Sequence, residues 1–140
     1  MKKLHIVSNR LPFSIASEDD KFVLKPSVGG LATGMKSVYK GFEGRWIGWP
    51  GVATDSYTAD QFNEICDMLE KEGCETIPLT TDEVHTFYEG FCNRTVWPLF
   101  HYFTQYVDYT PEFWDSYVEV NQKFADKVLE IAEENDFVWV

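Results

Sequence analysis

Hydrophobic positions along this chain follow two rhythms, one of strands and one of helices. Residues 3–8, Lys-Leu-His-Ile-Val-Ser, form a short β-branched apolar run ending at Asn9-Arg10, which predicts a buried parallel strand opening into a functional loop. The next stretch, 12–16, alternates, turns through Ser17-Glu18-Asp19-Asp20 and resumes over 21–25 before Pro26, which predicts a hairpin inserted at about 12–25. Gly29-Gly30 then opens a helix whose apolar positions Leu31, Met35, Val38 and Tyr39 recur at helical spacing. Arg45-Trp46-Ile47-Gly48-Trp49 reads as a second strand, closed by Pro50-Gly51. Residues 59–72 are an amphipathic helix with Phe62, Ile65, Cys66 and Leu69 on one face, and 74–79 supply a third strand. Strands and helices that alternate in this way predict an α/β fold with a mainly parallel, Rossmann-like sheet.

The rest of the chain is richer in helix. Residues 84–103 carry Phe87, Tyr88, Phe91, Trp97, Phe100, Tyr102 and Phe103, too many aromatics for an exposed linker; they are expected to wrap the sheet edge or line a cleft. Thr110-Pro111-Glu112 predicts a helix start, with threonine as N-cap, proline at the first helical position and a carboxylate near the positive end of the dipole. That helix is expected to run to about Glu134, with Trp114, Tyr117, Val118, Phe124, Ala125, Val128, Leu129, Ile131 and Ala132 as its apolar face. Asn121 interrupts that face and needs a partner if buried. Asn135-Asp136 ends the helix, and residues 137–140 begin another buried strand. No internal repeat, low-complexity segment or interdomain linker is visible.

Composition narrows the classes. With 140 residues, 44% apolar and 16% aromatic, the chain suits one packed domain. No window reaches the roughly 18 apolar residues of a membrane span, so a soluble, cytoplasmic protein is expected. Cys66, Cys74 and Cys92 are odd in number and lack the paired spacing of a zinc site or disulfide framework, so free structural thiols are expected. A net charge of −11 argues against a nucleic-acid partner, because a phosphate backbone demands a basic footprint. The charge is uneven: residues 1–50 hold eight Lys/Arg against four Asp/Glu, and residues 51–140 hold four against nineteen. A small phosphorylated ligand near the N-terminal loops fits that asymmetry, while the acidic second half reads as a solubilising surface.

Few residues stand out as candidate chemistry. Arg10, where the first strand yields to its loop, offers a fork of donors suited to phosphate oxygens, or it caps the sheet. Gly29 and Gly30 at a helix start would let the backbone approach a diphosphate, although paired glycines also mark ordinary turns and the dinucleotide-binding spacing is absent. Tyr88 and Trp97 could pack on a sugar face, or belong to the core. Trp46 and Trp49 lie three apart on one strand and point to opposite faces, so only one can face a ligand. His5, His85 and His101 show no metal-ligand spacing, and no carboxylate pair is placed by sequence for acid–base work.

Taken together, Ile6-Val7-Ser8-Asn9-Arg10-Leu11-Pro12, Lys25-Pro26-Ser27-Val28-Gly29-Gly30-Leu31, Trp46-Ile47-Gly48-Trp49-Pro50-Gly51 and Asn93-Arg94-Thr95-Val96-Trp97-Pro98-Leu99-Phe100-His101-Tyr102 resemble the trehalose-6-phosphate synthases. The tail adds Tyr117-Val118-Glu119-Val120-Asn121, Phe124-Ala125 and Phe137-Val138-Trp139-Val140, so the resemblance spans essentially the whole chain. It implies a GT-B retaining glycosyltransferase of two Rossmann-like domains that needs no metal ion or other cofactor. Residues 1–140 would be the N-terminal part of the acceptor-side domain, with the donor-binding domain absent. By the same resemblance, Arg10, Tyr88 and Trp49 would contact glucose-6-phosphate, and Trp97 would help select the sugar anomer. Gly29 and Gly30 would approach the nucleotide-sugar diphosphate.

The implied reaction transfers glucose from a nucleotide-activated donor, UDP-glucose being the expected one, to glucose-6-phosphate. The substrates are thus small molecules, with neither nucleic acid nor membrane as a partner, and a homo-oligomer of the full-length protein is compatible with this. No residue of the chain would itself be catalytic, and the chain alone is expected to be inactive, since the cations that grip the departing diphosphate belong to the donor domain. Two alternatives remain: a noncatalytic sugar-phosphate-binding or regulatory module, and a sister transferase with another phosphorylated acceptor.

Overall fold

The computed structural model describes residues 2–40 and 43–140, with the side chains of 36–40 excepted. The expected inward-facing Val38 and Tyr39 therefore lie outside the described side chains. β1 (Leu4–Arg10), β4 (Trp46–Trp49), β5 (Cys74–Thr76) and β6 (Phe137–Trp139) form a sheet of order β5-β4-β1-β6, parallel at every pairing. β2 (Phe13–Glu18) and β3 (Lys21–Pro26) form the inserted antiparallel hairpin, and its two-residue turn puts Asp19 and Asp20 at positive φ, as the right-handed twist of a ribbon favours. The expected α/β architecture is thus present.

Alternation on the strands sends successive side chains to opposite faces and divides the core in two. Ile6, Trp46 and Cys74 pack with Met35 of α1 (Gly30–Lys40), Ile65 and Leu69 of α2 (Ala59–Lys71), and the apolar face of the hairpin. Ile47 and Trp49 face the other way. They meet Phe87 and Tyr88 of a π-helix (Val84–Val96) and Val120, Tyr117 and Phe124 of a long later helix. Trp46 and Trp49 do lie on opposite faces, as their spacing requires. α2 starts with a reciprocal cap in which Thr58 and Gln61 satisfy each other's backbone N–H groups. The short α3 (Thr81–Glu83) repeats the device with Thr80 and Glu83 and leads directly into the π-helix, which continues as α4 (Trp97–Phe100).

Five expectations need correction. The third strand is paired only over Cys74–Thr76; Pro78 has no N–H to continue the ladder, although Ile77 still donates to Gly48 and both Ile77 and Leu79 are buried. α5 (Pro111–Ile131) stops short of Glu134 because the Asp136 carboxylate takes the Glu133 and Lys3 N–H groups and Asn135 turns at φ 77°. Thr110 occupies the N-cap position but its hydroxyl donates to Asp108 instead of capping the helix. The helix is rotated part of the way from the expected face: Phe113, Ser116 and Val120 are buried and Tyr117, Phe124, Val128 and Ile131 pack on the core as expected, whereas Trp114, Val118 and Leu129 are 55%, 49% and 79% exposed. Gly90 explains part of that rotation, because only a residue without a side chain leaves room for the Phe113 ring. Asn121 faces outward and donates to the Tyr117 carbonyl one turn back. β6, expected to be buried, pairs with β1 but keeps its apolar side chains exposed.

At the amino ends of the strands, buried His5 joins three segments. Its Nδ1 accepts from the Arg45 N–H at 3.2 Å, so the proton sits on Nε2, which donates to Asp136 at 3.1 Å. His85 pairs with Glu89 on the surface. The three cysteines are free thiols, and burial pushes Cys74 up to about 12 and Cys92 up to about 11. Among the described residues no helix is long and apolar enough to cross a membrane, and no group of His, Cys, Asp or Glu could hold a metal ion.

Candidate functional site

The carboxyl ends of β1 and β4, where an open parallel sheet binds its ligands, carry the largest share of the candidate residues. Strict alternation on β1 would send Arg10 toward the hairpin side, away from Trp49. The register shifts instead: Val7 pairs with Ile47 and Arg10 with Trp49, so three steps on β1 match two on β4. This bulge turns Arg10 onto the Trp49 face, the effect that an extra residue in a strand produces. Its guanidinium carbon lies 5.9 Å from the Trp49 ring centroid, and the group occupies the space that a side chain on Gly51 would fill.

Trp49 is the fixed point of this cluster. It is buried, and its indole N–H donates to the Val52 carbonyl at 3.0 Å. The half-buried Tyr88 ring packs on it with centroids 5.2 Å apart. Arg10, Trp49 and Tyr88 thus share one aromatic support, and among the described residues no carboxylate or carbonyl holds the exposed guanidinium. An uncompensated, forked cation can take up a phosphate without first breaking an internal ion pair.

The glycine pair is set beside this strand end by the hairpin, whose base closes where Ser27 N–H donates to the Pro12 carbonyl at 2.7 Å. Gly29 then supplies the carbonyl that accepts from Thr33, and α1 begins with no acidic residue in its first turn. A Cβ on Gly30 would meet nothing within 4 Å, and one on Gly29 only Ser27 Oγ at 3.6 Å. The space in front of this helix start is open; the Gly29 N–H donates to Ser27 Oγ at 3.4 Å, which leaves the first-turn N–H groups from Gly30 onward and the positive end of the dipole for an anion.

Trp97 does not join the Trp49 cluster. It is 54% exposed, stacks on His101 at 4.0 Å, and with Asn93, Arg94, Pro98, Phe103 and Tyr106 lines a cavity of about 400 Å³. The π-helix nevertheless relates it to Tyr88. With i→i+5 bonding and about 4.4 residues per turn, nine residues make nearly two full turns, whereas an α-helix of 3.6 per turn would put them on opposite faces. The helix shows this step directly: Thr86 bonds Ser116 of α5 at 2.7 Å, and Thr95, nine residues on, donates to the Asp108 carbonyl just ahead of α5. The same step carries Tyr88 to Trp97.

Sequence reasoning missed three contributors. Asn9 Nδ2 lies 3.8 Å from Cys92 Sγ, linking the strand that carries Arg10 to the helix that carries Tyr88, and its Oδ1 is buried without a partner. Gly51 was legible only as a turn signal after Pro50, not as the surface on which a guanidinium rests. His101, which shows no metal-ligand spacing in the sequence, is exposed and forms the second ring of the Trp97 stack.

Comparison with known proteins agrees over the full chain. The model of one family, glycosyltransferase family 20, matches residues 2–140. A bifunctional trehalose-6-phosphate synthase/phosphatase of Thermoproteus tenax is 40% identical, covering 99% of this chain and 19% of that protein. A trehalose-6-phosphate synthase of Mycolicibacterium vanbaalenii is 39% identical over 96% of this chain and 28% of its own length. Among solved structures, a UDP-forming α,α-trehalose-phosphate synthase of Burkholderia xenovorans in complex with glucose-6-phosphate is 28% identical and superposes with a TM-score of 0.70, covering 99% of this chain and 27% of that one. The chain therefore spans about a fifth to a quarter of the length of these relatives.

Proposed function

The chain belongs to glycosyltransferase family 20, and from that premise we propose that it is the N-terminal part of the acceptor-side domain of a trehalose-6-phosphate synthase. The reaction is transfer of glucose from UDP-glucose to glucose-6-phosphate, with retention at the donor carbon, in a cytoplasmic enzyme of trehalose biosynthesis. The observation that carries this reading is the unpaired guanidinium of Arg10 near the Trp49 ring, against which Tyr88 also packs.

In this reading Arg10 binds the acceptor phosphate through its forked donors, Tyr88 adds a phenolic hydrogen bond, and Trp49 supports both rings and guanidinium. The open start of α1 at Gly29 and Gly30 offers backbone N–H groups and helix dipole to the donor diphosphate. Trp97, exposed at the far end of the same helical face as Tyr88, contributes a sugar-stacking plane that favours one anomer. Each of these groups binds and orients. The bond from the donor's anomeric carbon to the diphosphate breaks as the acceptor hydroxyl oxygen bonds to that carbon on the same face and passes its proton to the departing diphosphate, and this needs cations on that diphosphate that a second domain supplies.

The test is turnover by the full-length protein. With UDP-glucose and glucose-6-phosphate, release of UDP together with trehalose-6-phosphate is the expected outcome. Failure with glucose-6-phosphate alongside turnover of a different phosphorylated acceptor would overturn the choice of substrate. Binding of glucose-6-phosphate without transfer from any nucleotide-glucose would instead favour a noncatalytic module.

A further inference from the structure

Nothing polar holds the Arg10 guanidinium among the described residues, and its neighbours act by shape: the Trp49 ring, 5.9 Å from the guanidinium carbon, and the space left by the missing side chain of Gly51. Gly51 follows Pro50 at the end of β4 with φ 83°, a region that residues with side chains rarely adopt. A Cβ at this position would lie 2.9 Å from both Nε and Nη2 of Arg10 and 3.2 Å from Cζ. Those distances are well inside the contact limit. The atoms that would have to retreat are the far end of a flexible, exposed side chain, not backbone or core. A side chain at position 51 would therefore leave the fold standing and push the charge off its seat.

We propose that Gly51 is a positioning residue for the phosphorylated acceptor, leaving the room that lets the Arg10 guanidinium stay on the Trp49 side, within reach of the acceptor phosphate. The inference rests on the reading of Arg10 as the acceptor-phosphate ligand. Gly51 acts through Arg10 and touches no substrate. Its loss should appear in acceptor affinity and not in the rate at saturation, because a displaced guanidinium weakens ground state and transition state alike.

The experiment is a double-mutant cycle in the full-length protein: wild type, Gly51→Ala, Arg10→Ala and both together. Initial rates are measured against glucose-6-phosphate at saturating UDP-glucose, with thermal midpoints taken alongside. Gly51→Ala is expected to raise the acceptor KM about tenfold with kcat little changed, the scale of weakening one charge-assisted contact. In the Arg10→Ala background the same change should raise KM by less than about twofold, since nothing remains to displace. An equal effect in both backgrounds would overturn the inference and assign the change to backbone strain at φ 83°. So would an unchanged KM in Gly51→Ala while Arg10→Ala raises it. Should Arg10→Ala itself leave the acceptor KM unaltered, the phosphate reading falls first, and that outcome is distinct from the other two. If Gly51→Ala lowers the thermal midpoint too far to assay, Gly51→Asn carries the test, because asparagine tolerates positive φ yet fills the seat and should still raise KM.

Discussion

Gly90→Ala tests how the π-helix is held against α5. The added Cβ would lie 2.8 Å from Cδ1 and Cε1 of Phe113 and 3.0 Å from Cγ, where ordinary carbon–carbon contact needs about 3.5–4.0 Å. The ring must retreat by about 1 Å, yet Phe113 is only 7% exposed and sits in the first turn of α5, tied by its N–H to the Thr110 carbonyl. Overpacking of this kind costs about 1–3 kcal/mol, and the better helical propensity of alanine returns about 1 kcal/mol of it. A net destabilisation of up to about 2 kcal/mol is expected, equivalent to roughly 3–5 °C in thermal midpoint per kcal/mol for a chain of this size. The assay is calorimetric unfolding of Gly90→Ala, Phe113→Leu and the double variant. Leucine removes the ring edge that the methyl strikes, so the double variant should sit close to Phe113→Leu alone, with a coupling above about 0.5 kcal/mol. A raised midpoint for Gly90→Ala, or strict additivity in the double variant, would refute the claim that this glycine is required for packing.

Three other outcomes follow from single groups. Arg10→Ala in the full-length protein should weaken the phosphorylated acceptor by about 2–4 kcal/mol, near the lower end because the guanidinium is hydrated until ligand covers it; acceptor kinetics read the effect, and high salt should shrink the difference between variant and wild type. Asp136 accepts hydrogen bonds from the Lys3 and Glu133 N–H groups and from His5, which hold its carboxyl at about 2, below its ordinary 3.8. Because the folded value lies below the unfolded one, this stabilisation is present at neutral pH and fades as pH falls from about 4 toward 2, and Asp136→Asn should flatten that part of an acid-unfolding profile. Cys74 and Cys92, pushed up to about 12 and about 11, remain protonated at pH 8, so iodoacetamide should leave both unmodified in the folded protein and alkylate them in urea; rapid labelling without denaturant would contradict their burial.

The sequence by itself determined the order of strands and helices, because each element's period, caps and turn residues are local. Leu4–Arg10, the hairpin with its Asp19-Asp20 turn, α2 behind Thr58 and the start of α5 at Pro111 all follow from neighbours a few positions apart. The opposed faces of Trp46 and Trp49 were legible for the same reason, since strand geometry alone decides them. The resemblance of four motifs also gave the candidate site residues.

Tertiary structure decided where those residues point. No local pattern announces the bulge that turns Arg10 onto Trp49, since it arises only when β1 must match β4. The π-helix is equally invisible to a 3.6-residue period, yet its wider turn brings Tyr88 and Trp97 to one side. The rotation of α5 owes part of its angle to a vacancy at Gly90 on another element, not to the most hydrophobic stripe of its own sequence alone. A chain's own period specifies which elements form; the side they present is fixed by the volume and register that their neighbours leave.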